Sequence, residues 1–193
     1  MKKILIVSVL FTMIGMVHAA QLNWSFNSVM KSDGSGSRAT GYVAYLFITE
    51  QSGSFGSTVT TVDAVKNLIE SGAEFYTEEG KNYLKKGDDK IQIAASKTTN
   101  NGMISGASGY NGNNFQGGDS LTAFTVVFDA ANVASAENYI ITGTKSAAWT
   151  SGTGSQQVGF QNLSNATWTP VPEPSTAVLA LAGLALLLKR RRA

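Results

Sequence analysis

Two residue types that carry much of enzyme chemistry are almost missing from this chain. It has no cysteine and one histidine, His18, among 193 residues. His18 lies in an N-terminal segment that we expect to be removed. Without it the remaining chain cannot form a Ser-His-Asp triad, a cysteine nucleophile or a zinc site of histidine and cysteine ligands. We therefore expect no catalytic residues, no metal site and no cofactor.

The absence of disulfides does not count against export. About 150 residues remain once both ends are removed, and a domain of that size buries roughly two-thirds of its surface on folding. Disulfides are permitted in oxidising compartments but are required mainly by smaller domains. With 43% hydrophobic and 15% charged residues, the chain has the composition of one globular domain.

Positive charge is scarce away from the two ends. The chain has 15 Lys and Arg against 13 Asp and Glu, which gives a formal net charge of +2. Six basic residues and one acidic residue lie in the terminal segments, so nine basic and twelve acidic residues remain and the central domain carries about −3. A mildly acidic domain is not typical of nucleic-acid binding, and we predict no nucleic-acid partner.

The N-terminus has the three parts of a secretory signal, over residues 1–19. Lys2 and Lys3 supply positive charge, residues 4–17 are largely apolar, and a small-residue exit predicts cleavage by signal peptidase after Ala19 or Ala20. The alternative is an uncleaved membrane helix. The apolar run is shorter than the roughly 20 residues that a span needs, which favours the signal peptide.

The C-terminal residues 171–193 contain three consecutive segments of different character. Pro172, Glu173 and Pro174 disfavour helix and predict an extended, accessible segment. An uncharged stretch runs from Ala177 to Leu188, and its twelve residues would span about 18 Å as a helix, short of a roughly 30 Å hydrocarbon core. Four basic residues then hold that end of the predicted transmembrane helix in the cytoplasm: Lys189, Arg190, Arg191 and Arg192.

This order of triplet, short apolar helix and basic cluster resembles the PEP-CTERM sorting signals of bacteria. The resemblance implies recognition by an exosortase, a membrane cysteine protease that removes the tail near the triplet. It also implies a precursor anchored in the inner membrane and a product delivered to the cell surface or the extracellular matrix, with exopolysaccharide as a partner. The alternative is an ordinary C-terminal anchor, against which the helix length and the triplet both argue.

Between the two ends, residues 20–170 show the pattern of a mainly β domain. Three stretches are apolar or alternating and rich in β-branched and aromatic residues: 22–26, 42–49 and 121–128. Shorter candidates, separated by Gly, Asn and Ser clusters, are residues 90–95, 138–142 and 156–161. They predict an antiparallel sandwich or a partly closed barrel with one short helix.

The helix is expected to begin near Thr60, which forms a capping pair with Asp63, and to end at Gly72. We predict that it covers a sheet edge or a barrel end. Residues 74–89 fit either a hairpin or a continuation of the helix. Residues 100–120 fit either one long loop or two strands joined by tight turns such as Asn101-Gly102.

No specific binding motif stands out in the central domain. Tyr110, Phe115 and Trp149 lie among small polar residues and are the candidates for stacking on sugar rings, whereas Trp24 is expected in the core. Residues 33–37 have alternating oxygen ligands but lack an acidic closing residue, which favours a plain turn over a calcium loop. The acidic residues of 74–89 alternate with lysines and predict a solvated face.

Three functional hypotheses follow. The leading one is a surface or matrix protein without catalytic activity, exported and processed by an exosortase-like protease. The second is a carbohydrate-binding module associated with exopolysaccharide. The third is a glycosidase that uses two carboxylates, because this chemistry needs neither histidine nor cysteine.

Overall fold

The computed structural model describes residues 21–52, 60–104, 107–108, 118–148, 155–160 and 162–172. The predicted signal peptide, with Ala19 and Ala20, lies outside these residues. So do the three candidate sugar contacts, Tyr110, Phe115 and Trp149, and the tail from Glu173 onward.

The described chain is mainly β, with one α-helix and one short 3-10 helix. In chain order the elements are β1 (Gln21–Ser25), β2 (Val43–Ser52), α1 (Val62–Glu70), β3 (Glu74–Glu78), β4 (Lys81–Lys86), β5 (Asp89–Ile93), β6 (Ala95–Thr98), β7 (Ala107–Ser108), β8 (Ser120–Phe128), a 3-10 helix (Val133–Ser135), β9 (Asn138–Ile141), β10 (Lys145–Ala148), β11 (Ser155–Gly159) and β12 (Thr169–Pro170).

These strands form three sheets. The central sheet has the order β12-β9-β8-β2-β6, and β10 pairs with the N-terminal half of β8, beside β9. A second sheet has the order β11-β1-β7, and a third is the meander β3-β4-β5. The longest pairing joins β2 to β8 antiparallel, with a register shift between Ile48 and Glu50.

The central sheet is covered on both faces. On one face it packs against β1 and β11 around Leu22, Trp24 and Val158. On the other it packs against α1 and the third sheet around Phe47, Phe124 and Phe128. Residues 43–48 of β2 are consequently all buried. This double coverage explains why β2 reads as an apolar run, where a strand with one wet face would alternate.

The prediction of a mainly β domain with one short helix is therefore confirmed. The sheets do not close on themselves, so the predicted barrel alternative is wrong, and they pack face to face with one added layer. The predicted antiparallel pairing holds within the central and third sheets, whereas β1 and β11 pair in parallel from Gln21 with Ser155 to Ser25 with Gly159. Such pairing needs a long connection, and more than a hundred residues separate these two strands.

The predicted helix is confirmed, but its cap is one residue later than expected. Thr61 is the N-cap, and its hydroxyl accepts from the Ala64 backbone N–H at 3.1 Å. The Thr60 backbone N–H instead donates to the carbonyl of Ile48 at 3.0 Å. The helix ends at Glu70 with Ser71 as its C-cap, and the predicted stop Gly72 follows with a φ of +84° that favours glycine. It covers a face of the central sheet, not an edge.

The two ambiguous stretches resolve differently. Residues 74–89 contain a hairpin, in which Glu74 pairs with Lys85 and Glu78 with Lys81. Residues 100–103 form a tight turn at Asn101-Gly102, as one of the two alternatives predicted, with Met103 N–H donating to the Asn100 carbonyl at 3.0 Å. Only parts of the rest of 100–120 lie within the described residues, including the two-residue strand β7.

Candidate functional site

The last described strand is the edge strand β12, which ends one residue before the Pro-Glu-Pro triplet. In β12, Thr169 pairs antiparallel with Tyr139, and Pro170 with Asn138. The Val171 backbone N–H then donates to the carbonyl of Glu137 at 2.8 Å. Pro172 follows Val171 as the last described residue. The first residue of the triplet thus comes directly after the last described backbone hydrogen bond of this edge.

Asp129 at the end of β8 positions the partner of this last strand. Its Oδ1 accepts from the backbone N–H groups of Glu137 and Asn138, both at 2.9 Å. Its Oδ2 accepts from the Asn138 side-chain amide at 2.7 Å and from the Ser32 hydroxyl at 2.8 Å. Four donors on one carboxylate fix the start of β9, and with it the carbonyl that receives Val171.

A buried tyrosine lies beneath the same edge. Tyr139 is 1% exposed, and its hydroxyl donates to the Glu70 carboxylate of α1 at 3.3 Å. Burial, with a smaller contribution from the negative charge of Glu70, raises the pKa of Tyr139 to about 12. The phenol is therefore neutral at physiological pH and ties α1 to the strand that holds the C-terminal exit.

An open cavity of about 610 Å³ adjoins the exit. Its walls come from the end of α1, from β3 and β4, from the 3-10 helix and from the last described residues of the chain. The residues that line it include Gly72, Lys86, Val133, Glu137, Pro170 and Pro172. Charges of both signs and small side chains thus surround the point at which the chain leaves the fold.

Of the predicted sorting residues, the structure describes Pro172 alone, and it lies at the exit as described above. Glu173, Pro174, the stretch from Ala177 to Leu188 and the basic cluster lie outside the described residues, so their predicted roles stay predictions. Within the described part of the chain, no helix has the length and apolar character needed to cross a membrane.

Of the predictions made for aromatic residues, the structure tests the one that places Trp24 in the core. Trp24 is fully buried and meets Phe26 edge to face, with ring centroids 6.3 Å apart, which confirms its place in the core. Trp168 is half-buried and makes a similar contact with Tyr42 at 5.7 Å.

The acidic cluster of residues 74–89 lies on the exposed third sheet, which confirms the predicted solvated face. The Lys90 ammonium donates to the Glu78 carboxylate, and this contact lowers the pKa of Glu78 and raises that of Lys90. Lys85 lies over the ring of Tyr76, with 4.4 Å from its nitrogen to the ring centroid, and Lys90 lies over Tyr83 at 5.0 Å.

Residues 33–37 form a turn, as predicted. The Asp33 Oδ1 accepts from the Ser35 backbone N–H at 2.9 Å, and the same hydrogen bond lowers the pKa of Asp33. The Lys31 N–H donates to the Ser37 carbonyl at 2.8 Å and closes the loop. No cluster of three or more His, Cys, Asp or Glu that could hold a metal occurs among the described residues.

The carboxylates of the described residues do not form a buried pair. Asp119 is 4% exposed, and each of the other described Asp and Glu residues is half-buried or exposed. A glycosidase needs two carboxyl groups facing one another across a cleft.

Two features of the surface escaped the sequence analysis. One is the cavity at the exit, which four separate stretches of chain assemble. The other is the pairing of Tyr76 with Tyr83 on the outer face of the third sheet. Alternation of polar and aromatic residues over 74–78 and 81–86 is the signal that could have indicated this second feature.

The family model of the PEP-CTERM protein-sorting motif matches residues 170–193 of this chain. The resemblance drawn from the triplet, the apolar stretch and the basic cluster is thereby confirmed. The motif implies recognition by an exosortase and export through membrane-associated sorting. The match begins at Pro170, inside β12, so the motif overlaps the last described strand. Comparison with curated proteins and with solved structures finds no match.

Proposed function

We propose that this chain is an exported cell-surface or extracellular-matrix protein without catalytic activity. A signal peptidase removes the N-terminal segment, and an exosortase-like membrane protease removes the tail near Pro172, Glu173 and Pro174. The precursor is anchored in the inner membrane, and the processed β domain is retained with exopolysaccharide.

The observation that carries this proposal is the match of the sorting motif to residues 170–193, which begins in β12, the last described strand. The triplet begins directly after Val171, whose hydrogen bond to Glu137 is the last that the described residues make at this edge. A protease must bind an extended substrate segment, and the sequence supplies one at this place. Hydrolysis there would leave a carboxylate on the domain and an amine on the released tail.

The domain itself supports a structural role over the glycosidase alternative. Its described residues offer one buried carboxyl group, that of Asp119, where the glycosidase hypothesis requires two. The half-buried Asp129 carboxylate, for its part, fixes the backbone at Glu137 and Asn138.

A matched pair of proline variants tests the proposal. Pro172→Ala changes the first residue of the triplet, whereas Pro170→Ala makes the same chemical change two residues earlier in β12. We expect accumulation of the unprocessed precursor for Pro172→Ala and nearly normal processing for Pro170→Ala, read by intact mass of the protein from its host. Equal processing of both variants and the unaltered chain would contradict a role for the triplet.

Carbohydrate binding is the second candidate, and the outer face of the third sheet favours it. Tyr76 is 39% exposed and lies opposite Tyr83 on the outer face of the third sheet, with Lys85, Lys90 and Gln92 nearby. Amphipathic rings on an exposed polar face suit contact with a sugar chain. If this face binds sugar, Tyr76→Ala should weaken retention on exopolysaccharide. If sugar instead binds the contacts predicted from the sequence, Tyr110→Ala, Phe115→Ala or Trp149→Ala should weaken it.

A further inference from the structure

The direction in which the chain leaves the fold defines one end of the domain. β12 runs antiparallel to β9, and its last hydrogen bond is to Glu137, which precedes β9. The chain therefore leaves beside the 3-10 helix and the C-terminal end of β8. We call the surface around the cavity at this place, made by residues 72–74, Lys86, 133–138 and 170–172, the exit face.

The connection between this face and the apolar stretch is short. Five peptide units separate Pro172 from Ala177, and a fully extended chain covers at most about 3.6 Å per residue, so the connection reaches about 18 Å. The polar headgroup layer outside the hydrocarbon core takes up several Å of that distance. If the apolar stretch lies in the bilayer, as the proposed function assumes, the exit face must lie close to the membrane surface.

The connection holds only the exit face near the membrane. The nine residues of β8 extend about 30 Å at roughly 3.3 Å per residue. Ser52, Ser120 and Ala148 lie at the far end, where β2 and β10 pair with the start of β8. The exit face is therefore the part of the domain that the connection keeps beside a membrane-embedded protease acting on the triplet.

The character of the exit face favours a protein partner over lipid. Anionic headgroups attract clusters of Lys and Arg. Here Lys86 is accompanied by Glu74 and Glu137, so the cavity has charges of both signs. Its volume of about 610 Å³ is large enough to receive protruding side chains of a partner.

From the exit direction, the short connection and this cavity we infer that the exit face is the docking surface for the processing protease. The inference rests on the proposed function and adds to it that the protease contacts the folded domain as well as the triplet. The cavity wall next to Pro172 is the part of the domain that it meets first.

Two exposed alanines provide a matched test. The photocrosslinking amino acid p-benzoylphenylalanine is placed at Ala134, on the exit face, or at Ala148, at the far end, in the full precursor expressed in its host. After irradiation of membranes, we expect the Ala134 position to yield several-fold more adduct with the membrane-embedded cysteine protease, identified by its peptides in mass spectrometry. A second position, Glu137, guards against misfolding of the first variant.

The intact mass of each variant distinguishes a failure of the docking inference from a failure of the proposed processing. If the tail is removed normally, equal yields of protease adduct from Ala134 and Ala148 overturn the docking inference. It is also overturned by adducts with lipid or another protein alone, or by no adduct from Ala134 and Glu137. If the unaltered chain keeps its tail, the proposed processing fails, and the docking inference fails with it.

Discussion

The central sheet and the third sheet are both antiparallel, yet they differ in how many of their faces are covered by other parts of the fold. The central sheet is packed on both faces, so that six consecutive residues of β2 are buried. The third sheet buries Leu84 and Ile93 on one face and presents charged and tyrosine side chains on the other. Whether one or both faces of a strand are buried therefore decides its pattern of apolar residues. It should also decide how much stability each substitution removes.

The largest expected difference concerns two stacked aromatic pairs. Phe47 and Phe124 stack in the central core at 5.4 Å, whereas Phe75 of the third sheet, 41% exposed, stacks on Tyr45 at 5.7 Å. Phe47→Ala should lower the free energy of unfolding by about 3–5 kcal/mol because it leaves a cavity. Phe75→Ala should cost about 1 kcal/mol, since it loses one aromatic contact at the surface. Urea unfolding of the processed protein measures both.

Equal losses of stability for these two variants would contradict the difference between the sheets, because they would show that Phe75 is packed as tightly as Phe47. Parallel denaturation by fluorescence and circular dichroism would show whether each variant still unfolds in one transition.

A second comparison uses two glycines with positive φ. Gly102 has φ +73°, and a Cβ there would lie 2.8 Å from the Val29 carbonyl oxygen. Gly80, between β3 and β4, has φ +74° and nothing within 4 Å of the added atom. Gly80→Ala should cost about 1 kcal/mol for backbone strain alone, and Gly102→Ala roughly 1–3 kcal/mol more. Thermal unfolding of the two variants measures the difference, and equal midpoints would contradict the close packing at Gly102.

The smallest effect is a loss of stability at alkaline pH. Burial raises the pKa of Tyr45 and of Tyr139 to about 12, above the value near 10 expected in the unfolded chain. The stabilisation from each neutral phenol is complete below pH 10 and is lost between pH 10 and 12, amounting to about 1.4 kcal/mol at pH 11 for each tyrosine.

Tyr45→Phe and Tyr139→Phe should therefore each reduce the drop in stability between pH 9 and pH 11, measured by urea unfolding. A drop that neither substitution alters would show that the buried phenols do not control it.

The sequence predicts the strands whose apolar pattern is long. β2 and β8 are evident because double burial leaves an unbroken apolar run. β7 and β12 have two residues each and leave no periodicity to detect. The parallel pairing of β1 with β11 joins distant stretches of chain, which local patterns cannot reveal. The helix cap moved from Thr60 to Thr61 because a tertiary hydrogen bond to Ile48 holds Thr60 outside the helix.

The candidate site likewise has one part that the sequence predicts and one part that only the folded structure shows. The triplet, the apolar stretch and the basic cluster are contiguous in sequence, so the sorting motif can be recognised from the chain alone. The exit face depends on Asp129 holding Glu137 and Asn138, and on α1 ending beside the 3-10 helix. Those contacts join residues far apart in sequence, and only the folded structure brings them together.

Intact mass of the protein recovered from its native host tests the central claim most directly. We predict a species that begins at Ala20 or Gln21 and ends near Pro172, because signal peptidase acts at one end and an exosortase-like protease at the other. A mature protein that retains the stretch from Ala177 to Leu188 and the basic cluster would contradict removal of the tail.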